Sequence, residues 1–159
     1  MENKIEDLIK VFYGKDVINI KKARYELVKI GKPAIKYLAG LLNESKEHIR
    51  WESIKTLSQI AAPESIPILI NALDNDDFDV RWLAAEGLIE IGKESIKPLL
   101  KSLIRNQDSK FLLEGVHHVL KDLEFKKVFV DETGIIEKIE NNNLHAEIAL
   151  SAKELLDVY

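Results

Sequence analysis

Residues Asn75–Leu103 read NDDFDVRWLAAEGLIEIGKESIKPLLKSL, and this stretch decides the fold. Apolar residues recur in it every three or four positions, which is typical of one buried face of an α-helix. The positions with this spacing are Val80, Ala84, Leu88 and Ile91. Gly92 follows them, where a helix C-cap favours a residue without a Cβ, and a second amphipathic pattern begins after it. The stretch therefore predicts two helices joined by a tight turn.

Near-copies of this stretch occur earlier in the chain. The dipeptide Arg50-Trp51 recurs 31 positions later as Arg81-Trp82. The apolar positions after each pair repeat at the same offset or at one residue less, and the same frame extends back to Leu27. Agreement over this many positions predicts tandem repeats, each made of a helix, a turn and a helix.

The repeat register gives one domain over residues 1–159. Its predicted parts are an N-terminal cap helix (1–15), three repeats (16–43, 44–74 and 75–105), a degenerate repeat (106–143) and a C-terminal cap helix (144–159). The degenerate repeat holds an irregular insertion at 124–133 and a short second helix at 134–140, and the last helix has the apolar spacing of a first helix. Terminal repeats are expected to be atypical because one side faces solvent.

The acidic run Asp74–Asp79 invites a calcium interpretation, which we reject. An EF-hand loop needs Gly at its sixth position and Glu at its twelfth, where this chain has Asp79 and Ala85. The carboxylates are instead expected to cap the helix that follows.

We expect the four prolines near the starts of second helices, since a missing N–H costs little there. These are Pro33, Pro63, Pro67 and Pro98.

Composition narrows the classes of function. Apolar residues make up 46% of the 159 residues and charged residues 31%, a globular balance. The net charge of −4 argues against nucleic-acid binding. Without cysteine the chain has neither disulfides nor thiolate metal sites. The N-terminus lacks a signal-peptide core and no apolar run approaches the roughly 20 residues that span a bilayer, so we expect a cytoplasmic protein with no membrane partner.

The run DVRWLAAEGLIEIGKESIKPLLKSL closely resembles the short HEAT-like repeats first grouped with phycobilisome lyases. Their pattern is D-x-x-V-R-x-x-A-A-x-x-L-x-x-I-G, followed by an apolar second helix. The resemblance implies an all-α fold: a right-handed α–α superhelix, or solenoid, of about four two-helix repeats with capping helices at both ends. First helices would form its convex face and second helices its concave face. It also implies that Arg50 and Arg81 join adjacent units through acidic side chains or helix-end carbonyls.

No catalytic, cofactor or metal site is predicted. The histidines are His48, His117, His118 and His145. Adjacent histidines project about 100° apart on a helix and cannot chelate one ion together. HEAT-like hydroxylases of the deoxyhypusine type hold di-iron with repeated His-Glu dipeptides, which this chain lacks. It also lacks a P-loop, a G-x-S-x-G elbow and a G-x-G-x-x-G fingerprint. We therefore predict a protein that is not an enzyme.

The outward side of the second helices is the predicted partner-binding surface. This concave strip comprises Tyr37, Leu41, Ile68, Asn71, Ala72, Pro98, Lys101 and Ser102, all expected to point away from the core. Exposed apolar residues in such a groove favour protein binding. Trp51 and Trp82 have two interpretations. We favour packing between successive first helices; the alternative is an aromatic platform for a partner or an unstacked base.

The sequence thus predicts a non-catalytic scaffold that holds a protein partner of unknown identity on its concave face. The resemblance leaves two alternatives open. One is a bilin lyase or a lyase accessory or chaperone subunit, although no feature specific to bilin chemistry stands out in the sequence. The other is nucleic-acid binding, as in HEAT-like alkylpurine glycosylases, which are expected to carry a basic concave surface.

Overall fold

The computed structural model describes residues 1–106 and 108–159, and every regular element within them is a helix. The α-helices in this part of the chain are α1 (Glu2–Phe12), α2 (Val17–Ile30), α3 (Ile35–Gly40), α4 (Glu47–Ile60), α5 (Ile66–Ala72), α6 (Phe78–Ile91), α7 (Lys93–Arg105), α8 (Lys110–Phe125), α9 (Ile135–Glu140) and α10 (His145–Leu156). Short 3-10 turns cover Lys32–Ala34, Leu41–Asn43 and Pro63–Ser65.

The helices stack in two layers. Helices α2, α4, α6 and α8 pack one against the next and form the first-helix layer. The second-helix layer contains α1, α3, α5, α7 and α10, in which α1 packs on α3, α5 on α7 and α7 on α10. Because a two-helix unit cannot bury its apolar side alone, the interfaces between units stabilise the stack. The arrangement confirms the predicted all-α solenoid.

One continuous apolar core runs between the layers. Equivalent leucines in the first three units, Leu27, Leu57 and Leu88, have no exposed surface. Ile5 and Phe12 of α1 are buried in the same core. Fully burying a side chain of this size contributes about 1.5–3 kcal/mol. The periodic apolar positions of the sequence therefore supply the interfaces that hold successive units together.

Arg50 and Arg81 each fasten the loop that precedes their own helix. Arg50 Nη1 donates to two loop carbonyls at 2.7 and 3.1 Å, and Arg81 Nη1 donates to the two equivalent carbonyls at 2.8 and 3.0 Å. These carbonyls belong to Glu44, Ser45, Asn75 and Asp76. Both loops belong to the same predicted repeat as their arginine (44–74 and 75–105), so these hydrogen bonds brace each repeat from within. They do not form the bridge between adjacent units that the resemblance implied.

The ends of the first helices follow simple backbone rules. Asp77 caps α6, and its Oδ1 accepts from the backbone N–H of Asp79 at 2.9 Å, as predicted for the acidic run. Gly92 has φ 78° and ψ −130°, and Gly31 has φ 72° and ψ −133°, a region that excludes residues with a Cβ. Ala61 occupies the equivalent place in the second unit at φ 46° and ψ 40°, the left-handed helical region. Its Cβ forces this different exit from the helix.

The expectation that every proline lies near a second-helix start is wrong for Pro98. Pro33 and Pro63 lie in the 3-10 turns that precede α3 and α5, and Pro67 lies in the first turn of α5. In the third unit α7 begins directly at Lys93, without a separate 3-10 turn. Pro98 is therefore in the helix interior, where its ring removes one backbone hydrogen bond.

The last helix occupies a different layer from the one its apolar spacing predicted. Instead of serving as another first helix, α10 packs on α7 of the second-helix layer, while α9 bridges α8 and α10. The segment after α8 makes this path possible. Phe129 is buried with its ring centroid 5.5 Å from that of Tyr159, and both carboxylate oxygens of Asp131 accept backbone N–H groups of α9 at 2.9 Å.

Candidate functional site

Five of the eight residues predicted for the concave strip lie at the outer surface of the second-helix layer. Tyr37 on α3, Ile68 on α5 and Pro98 on α7 are half-buried. Asn71 and Lys101 lie one turn further along α5 and α7 and are exposed. All five side chains therefore project from helices rather than from loops.

The expectation that Leu41, Ala72 and Ser102 point away from the core is wrong. Their exposed fractions are 9%, 6% and 8%. Each of the three follows directly after an exposed residue of a helix. Successive residues of a helix point about 100° apart, so the side chain after an exposed one turns toward the neighbouring first helix. The 3-10 turn tightens the chain at Leu41, and the Ser102 hydroxyl donates to the carbonyl of Leu99 at 2.7 Å.

The first depression of this surface lies between α1, α3 and the start of α5. It has a volume of about 660 Å³. Its lining residues are Met1, Glu2, Ile5, Lys32, Pro33, Ile35, Lys36, Tyr37, Glu64 and Ile68. Isoleucines form much of its floor and charged side chains stand around it, so an apolar side chain of a partner would fit here while polar groups stay at the rim.

Ion pairs between elements hold the rim of this first depression. Lys36 Nζ lies 2.9 Å from Glu2 Oε1, which links α3 to α1, and 4.7 Å from the ring centroid of Tyr37. Lys32 Nζ lies 2.7 Å from Glu64 Oε1, which links the turns before α3 and α5. The hydrogen bond from Lys36 lowers the pKa of the Glu2 carboxyl, so this carboxylate stays ionised at neutral pH.

The second depression lies between α5 and α7 and has a volume of about 340 Å³. Its lining residues are Pro67, Ile70, Asn71, Asp74, Pro98, Lys101, Ser102, Arg105, Asn106 and Leu112. Its composition differs from that of the first depression, because two cations, an amide and a carboxylate stand beside the prolines and Ile70. The predicted strip is thus divided between the apolar first depression and the polar second depression.

Trp51 and Trp82 both lie on the first-helix layer. Trp51 is half-buried, with Lys55 Nζ 4.1 Å from its ring and the Arg24 guanidinium of the preceding first helix 6.0 Å away. The Trp82 ring is 4.8 Å from the ring of His118 on the following first helix, although Trp82 is 47% exposed. Each indole lies beside a side chain of a neighbouring first helix, and the choice between packing and an aromatic platform stays a prediction.

Sequence reasoning missed the part that the N-terminal helix plays at this surface. Glu2 and Ile5 of α1 form one wall of the first depression, whereas the sequence assigned this helix only a capping role. Arg105 and Asp74 of the second depression were also missed. A usable signal was present at Lys97, Lys101 and Arg105, where cations recur every four residues on one helix.

Within residues 1–106 and 108–159, no three His, Asp or Glu side chains come together as a metal site would require. His117 is half-buried on α8, and burial lowers the pKa of its imidazole. His145 Nδ1 instead lies near the surface, 3.1 Å from a carboxylate oxygen of Asp108. None of the helices in this part of the chain is both long and apolar enough to cross a membrane.

Comparisons with known proteins agree with this architecture. The chain is similar to a chain in the complex of CpcE and CpcF of phycocyanin lyase from Nostoc sp. PCC7120, with 24% identity, a TM-score of 0.60 and coverage of 95% of this chain and 99% of that one. An engineered protein is 21% identical, with a TM-score of 0.49 and coverage of 93% and 76%. No curated protein matches the sequence. The family model of HEAT repeats matches residues 5–89, more than half of the chain. The chain belongs to the HEAT-repeat family.

Proposed function

We propose that this protein is a non-catalytic scaffold that binds a partner protein on the outer side of its second-helix layer. The observation that carries the proposal is the first depression, where Tyr37 and Ile68 come from different units and Ile5 comes from the cap helix. An apolar hollow built by three elements and edged by ion pairs has the composition of a protein-binding site.

Rigid packing supports the proposal further. The elements that line the first depression pack on one another or are linked by the Lys36–Glu2 and Lys32–Glu64 ion pairs. A surface formed before binding loses little conformational entropy on association, so a modest contact area gives useful affinity.

The test compares capture of partners by the wild-type protein and by two variants, Tyr37→Ala and Ile68→Ala. Each immobilised protein is exposed to the cytosol of the source organism, and retained proteins are quantified by mass spectrometry. We expect one or more proteins retained by the wild type to be lost from both variants. Leu150→Ala is the matched control, since Leu150 is an apolar residue of α10 that is 58% exposed and lies outside both depressions.

Thermal unfolding followed by far-UV circular dichroism separates lost binding from lost folding. The two variants are expected to keep the helical signal of the wild type at the capture temperature. Retention of the same proteins by wild type, Tyr37→Ala and Ile68→Ala would contradict the assignment of this surface.

A second candidate function is that of a bilin lyase or a lyase accessory or chaperone subunit. It is favoured by the likeness over nearly the whole chain to a subunit of phycocyanin lyase. Titration of the purified protein with a bilin, followed by visible absorbance, distinguishes the two candidates. A saturable spectral change at micromolar bilin would support the lyase-related role, and an unchanged spectrum would remove it.

A further inference from the structure

A row of cations on α7 has no partner in the part of the chain that the structure describes. Lys93, Lys97, Lys101 and Arg105 follow one another at intervals of four residues, and all four are exposed. Among residues 1–106 and 108–159, none of the four forms an ion pair or a side-chain hydrogen bond. Residues spaced by four lie near one another on a helix surface, so these charges form one stripe.

Two cations beside the first depression differ from the α7 row because they are paired. Lys32 and Lys36 both reach a glutamate of a neighbouring element. Two carboxylates lie near the α7 row, Asp74 in the second depression and Glu94 in the first turn of α7. Within the described residues neither forms an ion pair with the row, and its four cations outnumber them, so an excess of positive charge remains.

Helix electrostatics account for only part of this row. A cation in the last turn of a helix interacts favourably with the macrodipole, which gives Arg105 a structural role. Lys97 lies in the middle of α7, beyond the reach of that effect, and Lys101 lines the second depression. Both lysines are exposed, so both are free to meet an anionic group of a partner.

We infer that the partner carries an acidic segment, whose carboxylates meet Lys97, Lys101 and Arg105 while an apolar side chain enters the first depression. The inference rests on the proposed function, since it names the chemistry of the partner at the same surface. Packed helices are about 8–10 Å apart, so α3 and α7 are separated by roughly 20 Å. An extended chain covers this distance in about six residues, at roughly 3.3 Å per residue.

An acidic protein fits this surface better than a nucleic acid does. The row offers a few cations on a chain whose net charge is −4, whereas nucleic-acid sites are usually strongly basic. The first depression, at the other end of the surface, is apolar with paired charges and offers nothing to a phosphate backbone. It suits an aliphatic or aromatic side chain of a polypeptide.

The test is selection of binders from a displayed library of random peptides by the full-length protein. We expect the selected peptides to be enriched in Asp and Glu about six residues from a large apolar residue. Their affinities are then measured by fluorescence anisotropy. The double variant Lys97→Glu/Lys101→Glu should bind about ten-fold more weakly, and Lys97→Gln/Lys101→Gln should fall between it and wild type.

Lys22→Glu is a matched control, because Lys22 is exposed on α2 in the first-helix layer and lies outside both depressions. It should leave peptide affinity within two-fold of wild type, roughly the effect of one distant screened charge. Raising the salt concentration should weaken wild-type binding more than binding by the double glutamate variant.

Several results would overturn the inference. One is a selection that yields no binders or binders without acidic residues; another is equal affinity for wild type and the double glutamate variant. Binding of a random-sequence DNA or RNA oligonucleotide that depends on Lys97 and Lys101 but not on Ile68 would reassign the row to nucleic acid. If Ile68→Ala abolishes partner capture while the lysine variants do not, the scaffold proposal stands and only the acidic chemistry fails.

Discussion

Replacing Gly87 with alanine tests how closely the first helices approach one another. Gly87 lies in the interior of α6, where alanine is normally more stable than glycine by about 1 kcal/mol. Here the added Cβ would lie 2.9 Å from both the Cα and the Oγ of Ser58 on α4, and 3.0 Å from Leu69 Cδ1 on α5. The gain in helix propensity therefore competes with a clash between helices.

The clash should exceed the gain. Ser58 Oγ is held by hydrogen bonds to the carbonyls of Ile54, at 2.9 Å, and of Leu83, at 2.5 Å, so its hydroxyl is fixed between α4 and α6. The contact with the Ser58 Cα is relieved only if a helix moves. Overpacking typically costs about 1–3 kcal/mol. After the propensity gain of about 1 kcal/mol, we expect Gly87→Ala to lower the free energy of unfolding by up to about 2 kcal/mol, which lowers Tm by up to roughly 8 °C.

Gly40→Ala is the control for this prediction. Gly40 ends α3 at φ −62°, and no atom lies within 4 Å of the Cβ that alanine would add. Its propensity gain is unopposed, so Gly40→Ala should stabilise the protein by up to about 1 kcal/mol. Both variants are measured by urea and thermal unfolding with far-UV circular dichroism. If Gly87→Ala stabilises the protein as much as Gly40→Ala does, the close approach of α4 and α6 is refuted.

Three further predictions concern single contacts. Ala61→Gly should raise the free energy of unfolding by roughly 0.5–1 kcal/mol in urea titrations, because Ala61 has a positive φ of 46°. An unchanged free energy of unfolding would contradict this prediction. Arg24→Leu should cost about 3–5 kcal/mol, since it leaves Glu52 unpaired in a side-chain contact that is largely buried, and Arg24→Leu/Glu52→Leu should recover much of that loss. Burial lowers the pKa of His117 below 6.5, so the unfolded chain takes up its proton first as the pH falls. The free energy of unfolding of the wild type, measured by urea titration, should therefore fall more than that of His117→Gln as the pH is lowered through 6.5. The same pH dependence in both proteins would refute this prediction.

The first three units could be predicted from sequence because each contributes the same apolar face. Leu27, Leu57 and Leu88 recur at nearly constant offsets, and all three are fully buried. Apolar spacing reveals which side of a helix is buried, but not the neighbour that buries it. That limit explains the error at α10, whose layer depends on contacts between the segment around Phe129 and the C-terminal Tyr159.

The binding surface was predicted less accurately than the fold, for a related reason. Positions midway between the core side and the solvent side of a helix, such as Ala72 and Ser102, become buried or exposed according to the neighbouring helix. Periodicity carries no information on that neighbour. The participation of α1 was equally hidden, since the Lys36–Glu2 ion pair joins residues 34 positions apart that no repeat register relates.

The two layers use their charged residues differently, and this difference bears on where a partner binds. In the first-helix layer, the Arg24–Glu52 ion pair joins the first two units, and Arg50 and Arg81 donate to carbonyls of the loops before their own helices, so each of these cations has a structural partner. In the second-helix layer, the cations of α7 have no such partner within the described residues. Each depression is also lined by more than one helix, and the second includes residues of both α5 and α7. Its shape therefore depends on the spacing of the second and third units, which the close contact of Gly87 with Ser58 sets in the other layer. A substitution that alters stacking on one face should consequently change binding on the other, although it touches neither depression.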